Sequence, residues 1–513
     1  MKYDMKITNA QVIDGTGRKA FSGELAIKNG YIEKVDARVT GDAKREIDAG
    51  GKVLSPGFID LHNHAFPGLV PKTHMHHVSQ GIVMNFLQQG VTTIVTGNCG
   101  FAGRISQITD NLDKIVMGPN FAMLAGHNSI RTWAMNRDKR PPSASELAKM
   151  KKLLKEELDG GAFGLSTGLA YVPGAYAGTE EVIELTKVLQ GTKGFYASHM
   201  RNEGDRVADA VKEVLDIGNA TGIPVHISHH KVCGVKNRGR SRETISLIKE
   251  ARQKGTDITL DQYPYTASCG TIQLLLPVYV GEGSPDDIKN RIKNNRKKIR
   301  EEVLDKLENF YGGELSRIVF ATCAQNPSLA GKTLADASKT FGRKDSLPEA
   351  AETVLDMVSA DASHGSSMCI SHSMSEEDVE YILRYGDTSV GSDGWEIAMS
   401  QGHPHPRSYG TFPRVLGRYA RDKKIITVEE AVKKMTSMPA GRLNLKDRGI
   451  IKEGARADIA VWDRDTIKDT STFETPHRYP EGIECVIVNG MLTLYQGKSV
   501  QAYSGVFLKK EDR

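Results

Sequence analysis

Two histidines two residues apart, His62 and His64, follow the short apolar run Gly57-Phe58-Ile59-Asp60-Leu61. Side chains on an extended backbone alternate in direction, so imidazoles at i and i+2 project from one side and can share a metal ion. An isolated His-x-His is ordinarily a surface pair, and its meaning depends on what else the chain brings to the same place.

Several other apolar runs end in side chains of the same chemistry. Thr92–Gly97 leads into Asn98-Cys99-Gly100, GFYASH ends at His199, PVHISH at His229-His230, and TSVGSD at Asp393. Thiolate, imidazole and carboxylate are the donors of zinc, which takes Cys sulfur at about 2.3 Å and His nitrogen at about 2.0–2.1 Å; its catalytic sites keep three protein ligands and a water. A thiolate favours zinc over magnesium or manganese. Coordination lowers the pKa of water from roughly 15.7 to about 7, and a carboxylate such as Asp393 can take that proton and pass it to a leaving group. In PVHISHHK, alternation puts Val225, Ile227, His229 and Lys231 on one face and His226, Ser228 and His230 on the other. If Lys231 faces the site, His229 is the expected ligand, with His230 as the alternative. Lys231 and Arg407, the latter in HPHPRSYGTF, are the cations available to a substrate carboxylate, one as a point charge and one as a bidentate fork.

Such donors need a scaffold that delivers successive strand ends to one rim. GFIDL, TTIVTG, FAMLAG, FGLSTG, GFYASH, PVHISH, DITLDQY, RIVFATC, SMCISH and TSVGSD read as strands, separated by amphipathic stretches such as Glu146–Leu158, Thr179–Leu189 and Asp205–Thr221. Alternating strands and helices imply a parallel sheet, and a series this long predicts an α/β fold of the (β/α)8 barrel kind, with its chemistry at the carboxyl ends of the strands. The barrel has room for eight of these runs. RIVFATC and SMCISH are therefore assigned to an excursion after Tyr263-Pro264-Tyr265. Within it, the charge run IKNNRKKIREEVLDKL reads as a solvated amphipathic helix and not as a nucleic-acid patch.

The two ends of the chain differ from the middle. KITNAQVI predicts two brief strands broken at Thr8-Asn9, while Asn29-Gly30 and Asn489-Gly490 each predict a tight hairpin. Both ends are expected to build one small β domain (1–54 plus 446–513) beside a barrel domain (55–445) that carries an insertion (278–346). A length of 513 residues suits that division. With 39% hydrophobic and 26% charged residues and a net charge of +5, the composition is that of a globular protein with no bias toward nucleic acid or membranes. No run approaches the roughly 18 apolar residues of a spanning helix, and no apolar leader opens the sequence. The six cysteines form no CxxC pair, so a reducing cytoplasm is the expected setting.

Taken together, GFIDLHNH, GNCGF, SHMRNEGDR, HISHHK, DQYPYTA, SDG, HPRSYGTFPRVLG and PAGRLNLKDRGIIKEGARADIAVWD resemble the N-acyl-D-amino-acid deacylases, the D-aminoacylase branch of the amidohydrolase superfamily. The resemblance spans nearly the whole chain and is weakest between about 277 and 368. It implies a (β/α)8 barrel with a small β domain made from both termini, an inserted segment after the seventh strand, and zinc-dependent cleavage of the amide of a small-molecule N-acyl-D-amino acid. Most amidohydrolases bridge two metals with a carboxylated lysine; in this branch a cysteine after the second strand takes that place, here Cys99. By the same resemblance Cys99, His199 and His229 hold a tight zinc, and His62, His64 and Asp393 form a weaker second site with Asp393 as general base and acid. Tyr171 and Tyr263 join Lys231 and Arg407 around the substrate. Side-chain preference varies in the family near Cys269, where a neutral residue offers no cation to an acidic side chain, so neutral or apolar D-residues are expected. His372, just ahead of the capping sequence at Ser375, is expected to be structural. A cyclic-amide hydrolase of the dihydroorotase or hydantoinase kind would carry a bridging lysine on the fourth strand, and FGLSTG has none. A non-catalytic scaffold would have lost ligands that this chain keeps.

Overall fold

The computed structural model describes residues 1–65, 83–112, 115–364 and 367–510. Eight parallel strands form the barrel: Phe58–Asp60, Val91–Thr96, a third in two pieces (Asn120–Met123 and Ala125–Gly126), Gly164–Gly168, Phe195–His199, Val225–Ile227, Ile258–Gln262 and Thr388–Val390. Most are buried along their whole length, as strands covered on both faces must be, which is why they read as continuous apolar runs. The first and eighth strands meet at their carboxyl ends, where Asp393 N–H donates to His62 C=O (2.7 Å) and His64 N–H to Gly394 C=O (2.8 Å).

RIVFATC and SMCISH lie outside this closed sheet. Met368–Ser371 is the middle strand of a separate three-stranded sheet, antiparallel to Ser268–Thr271 on one side and to Ile318–Thr322 on the other. The excursion therefore leaves just after the seventh strand and returns just before the eighth. Its span is wider than 278–346, because its first and last strands are partners in one sheet that neither end of the expected segment reaches. The basic run IKNNRKKIREEVLDKL falls across two helices, Pro285–Asn294 and Arg296–Asn309, with Asn295 between them. Ile299, Val303 and Leu307 share one face and enter the excursion's own core, while Arg296 pairs with Glu352 and Asp356 at 2.6 Å each.

Both chain ends build a single nine-stranded sheet. The expected break at Thr8-Asn9 is a bulge within one strand, Tyr3–Val12: Asn9 is left-handed (φ 51°), the register shifts between Ile7 and Ala10, and both halves pair with Phe21–Lys28. The Asn29-Gly30 and Asn489-Gly490 turns have positive φ at both residues, as two-residue hairpins of this type require. Val53–Pro56 joins the two ends, parallel to Tyr3–Val12 on one side and antiparallel to Ile459–Trp462 on the other. Trp462 is fully buried, donates to Ser55 Oγ (3.0 Å) and packs in the same core as Phe58 and Phe412 of the barrel domain. Farther on, Phe121 N–H of the third barrel strand donates to Val506 C=O (2.9 Å) and Leu508 N–H to Phe121 C=O (2.6 Å). No helix among the described residues is long and apolar enough to cross a membrane.

The turn after the second strand is held tightly. Asn98 Nδ2 donates to Val95 C=O (2.9 Å), and Ser166 Oγ accepts from Gly100 N–H (3.1 Å) while donating to Gly97 C=O. Gly168 closes the fourth strand directly beneath: a Cβ there would lie 2.1 Å from the carbonyl oxygen of Cys99. Gly168→Ala is thus expected to push the Cys99 turn outward at a cost of about 1–3 kcal/mol, seen as a lower melting temperature. Gly441→Ala, inside the helix Ser437–Arg442 where an added Cβ meets nothing within 4 Å, is the control that should not lower it, since alanine is favoured over glycine in a helix.

Candidate metal centre

Three strand ends bring imidazoles to the sulfur of Cys99. His62 Nε2 and His229 Nε2 each lie 3.4 Å from Sγ, His199 Nδ1 3.6 Å and His64 Nε2 3.9 Å. A tetrahedral zinc with the bond lengths given above separates sulfur from nitrogen by about 3.6 Å, so the donor spacing fits that ion. Three sets of donors each fall within 4.8 Å: His62, Cys99 and His229; His62, His64 and Asp393; His199, Glu203 and His229. Asp393 Oδ1 is 2.9 Å from His64 Nε2 and 3.7 Å from His62 Nε2. All of these side chains are buried except His64 and Glu203, which are half-buried.

Three of the donors arrive by strained turns. Cys99 (φ 54°), His229 (φ 36°) and Asp393 (φ 49°) are all left-handed, a conformation that costs a non-glycine residue on the order of 1–3 kcal/mol and persists where surrounding bonds impose it. His229 N–H donates to Asp261 Oδ1 (2.8 Å), and Asp393 is fixed by the bond to His62 C=O. The sixth strand ends at Ile227, so strand alternation does not itself aim His229; the turn does. His230 points elsewhere, with Nε2 2.9 Å from Thr244 Oγ1.

Burial pushes the Cys99 thiol up, yet His62 and His229 overcome it and hold the thiol well below its ordinary range. Burial likewise opposes protonation of His62, and Cys99 and Asp261 nevertheless raise it well above the usual histidine value. Asp393 is held well below the carboxylate range, against burial, by Arg407 and His229. The polypeptide alone thus gathers a thiolate and carboxylates that demand positive charge. A divalent cation among the same nitrogens meets that demand with neutral imidazoles.

Around the donors stand carboxylates with no motif to announce them. Glu203 binds Lys231 Nζ and lies 3.2 Å from His229 Nδ1 and 3.9 Å from His199 Nε2. Asp261, near the end of the seventh strand, is 2.7 Å from His226 Nε2 and 3.7 Å from His62 Nδ1. Metal-bound histidines commonly turn their other nitrogen to a carboxylate; that rule, applied to SHMRNEGDR and to the residue two before Tyr263, is the signal that finds them.

The substrate-facing candidates cluster on the same side. Arg407, at the start of the helix Arg407–Arg414, pairs with Asp393 (Nη1 to Oδ2, 2.7 Å), and its guanidinium sits 4.7 Å from the Tyr263 ring centre. Lys231 Nζ is 5.5 Å from that centre but is engaged inside, 2.7 Å from His229 Nδ1 and bound to Glu203. Tyr263 turns its hydroxyl to Met374 Sδ (3.9 Å), and the Tyr171 ring lies 4.6 Å from that of His199. Cys269 is half-buried in an apolar patch with Ala267, Met368, Ile370 and Trp395. His405 donates or accepts only within the fold, to Ala267 C=O and Arg407 N–H, and His372 packs on Phe473 (4.5 Å).

With this geometry in hand, likeness to known proteins becomes informative. A family model described as "Amidohydrolase family" matches residues 370–493. The chain is 34% identical over 514 residues to a D-aminoacylase of Alcaligenes xylosoxydans xylosoxydans, covering 95% of this chain and 94% of that one. It is also 34% identical to an N-acyl-D-glutamate deacylase of the same organism, covering 95% and 93%. Among solved structures, the N-acyl-D-glutamate deacylase of Bordetella bronchiseptica, complexed with zinc and a phosphonate mimic of the tetrahedral intermediate, superposes over 100% of both chains with a TM-score of 0.83 at 31% identity. A D-aminoacylase structure covers 99% of this chain and 100% of its own with a TM-score of 0.81 at 32% identity. Hydantoinases, at 15% identity and TM-scores of 0.58–0.59, share the fold alone. Likeness at this level, extending from the small β domain through the barrel and its excursion, means that the chain belongs to the N-acyl-D-amino-acid deacylase (D-aminoacylase) family of amidohydrolases.

Proposed function

We propose that this enzyme hydrolyses the amide bond of N-acyl-D-amino acids with zinc held at Cys99, His199 and His229, and that His62, His64 and Asp393 form a weaker second site. The observation that carries the reading is the spacing of nitrogens around Cys99 Sγ, with Asp393 beside them, in a chain of this family. When bound, the metal supplies an activated water and polarises the scissile carbonyl. Asp393, kept ionised by Arg407, takes the water's proton and returns it to the departing nitrogen, so the amine leaves neutral. Arg407, Lys231 and the hydroxyls of Tyr171 and Tyr263 bind the substrate carboxylate and the developing oxyanion. For Lys231 this requires leaving His229 Nδ1 while Glu203 keeps its charge balanced.

Cys269 and its apolar neighbours favour a neutral or apolar D-side chain. The fourth strand, Gly164–Gly168, carries no lysine, which disfavours the bridged centre of a cyclic-amide hydrolase. All six cysteines among the described residues are free, in keeping with a cytoplasmic setting.

Incubation of the zinc-loaded enzyme with N-acetyl-D-methionine should release D-methionine, with N-acetyl-L-methionine and hydantoin inert; hydrolysis of hydantoin instead would replace this reading. N-acyl-D-glutamate turning over faster than N-acyl-D-methionine would remove Cys269 from the specificity argument. Cys99→Ala should lose the tightly bound zinc measured by metal analysis, and one zinc per chain in that variant would refute the ligand set. Asp393→Asn should keep the tight zinc while kcat falls by about 10²- to 10⁴-fold; near-normal turnover would take Asp393 out of the mechanism.

A further inference from the structure

Each imidazole at the centre except one turns its second nitrogen toward a carboxylate. His62 Nδ1 faces Asp261, His199 Nε2 faces Glu203, and His229 Nδ1 faces Lys231 and Glu203. His64 differs: its polar contacts, to Asp393 and Cys99, all run through Nε2, and among the described residues its Nδ1 meets no carboxylate or carbonyl. It is also the least enclosed, 18% exposed against 0–9% for His62, His199, His229 and Asp393. What fixes the plane of its ring is Trp395, stacked on it at 4.6 Å between centres and 22° between planes.

Trp395 is itself immobilised from both sides. Its backbone N–H donates to Ser408 Oγ (3.1 Å), and its backbone carbonyl accepts from Asn85 Nδ2 (3.0 Å), an amide that also donates to Ser408 C=O (2.7 Å). The indole packs on the apolar patch of Ala267, Ala321, Met368 and Ile370. Two of these, Met368 and Ile370, lie on the excursion's middle strand. Trp395 is two residues from Asp393 in the chain, so one loop carries a second-site carboxylate and the ring that orients its histidine neighbour.

We infer that Trp395 is a positioning residue for the second metal position: by stacking on His64 it holds Nε2 toward Asp393 before the ion arrives, in place of the carboxylate that each of the other histidines faces. The inference rests on the zinc reading above. A ligand ordered in advance does not lose its rotational freedom on coordination, a saving that corresponds to about two- to tenfold in affinity.

Zinc binding to the wild-type enzyme, Trp395→Phe and Trp395→Ala is to be measured by equilibrium dialysis, with melting temperatures alongside. Two steps are expected in the wild type. The first should be the same in all three, and the second about fivefold weaker in Trp395→Ala yet restored to within about twofold in Trp395→Phe, which keeps a stacking ring. An unchanged second step in Trp395→Ala, equal weakening in both variants, a parallel fall in the first step, or a wild type that takes only one ion would overturn the inference while leaving the tight site intact. A wild type that binds no zinc would reject the metal reading itself. Should Trp395→Ala fail to fold, Co²⁺ added to the zinc-loaded protein decides: it should quench a component of tryptophan emission that Trp395→Phe lacks, and equal emission changes in the two would count against the stack.

Discussion

The carboxyl rim of this barrel is organised around one sulfur atom. Cys99 Sγ has four imidazole nitrogens within 3.9 Å, delivered by three different strands, and a buried thiolate without partners would be untenable. Near it, among the described residues, charge is set against charge: Arg407 against Asp393, Lys231 against Glu203, His226 against Asp261. These pairs bring fixed polarity to the reacting groups more than they bring net stability, since desolvation offsets much of their attraction. The same logic explains why strain is tolerated. Three left-handed residues sit at three strand ends, and two of them are held there by their own backbone N–H groups, His229 donating to the Asp261 carboxylate and Asp393 to His62 C=O.

Much of this was legible from the chain. The barrel followed from runs that alternate with amphipathic helices, and its donors from the residues that end those runs, because in a parallel barrel strand order and rim position are tied together. The hairpins at Asn29-Gly30 and Asn489-Gly490 were legible because few sequences adopt two consecutive positive φ values. Other features escaped for identifiable reasons. The bulge at Asn9 looks like a chain break because local polarity cannot reveal that both halves share a partner strand. The bounds of the excursion depend on Ser268–Thr271 pairing with Met368–Ser371 across about a hundred residues, and no local pattern records such a pairing. Glu203 and Asp261 are ordinary acidic residues until the fold sets them behind histidines.

The excursion also earns a functional place through its position. It springs from the seventh strand and returns to the eighth, so its sheet borders the site on the side of Arg407 and Cys269. Variation there can reshape the surroundings of Cys269 while the donors, fixed by the barrel strands, stay where they are. A family that shares one reaction and differs in the side chain accepted is well served by such a separation.

The two ends of the chain meet at Val53–Pro56, and Phe121 of the third barrel strand bonds to Val506 and Leu508. This has a consequence for the birth of the molecule on the ribosome. The amino-terminal sheet cannot acquire its central neighbour Ile459–Trp462, nor the third barrel strand its cover, until synthesis has passed Leu508. The first half of the chain must wait, half-paired and exposing strand edges, until those carboxyl-side segments have been made, so assembly is held back to an event in which both halves close together.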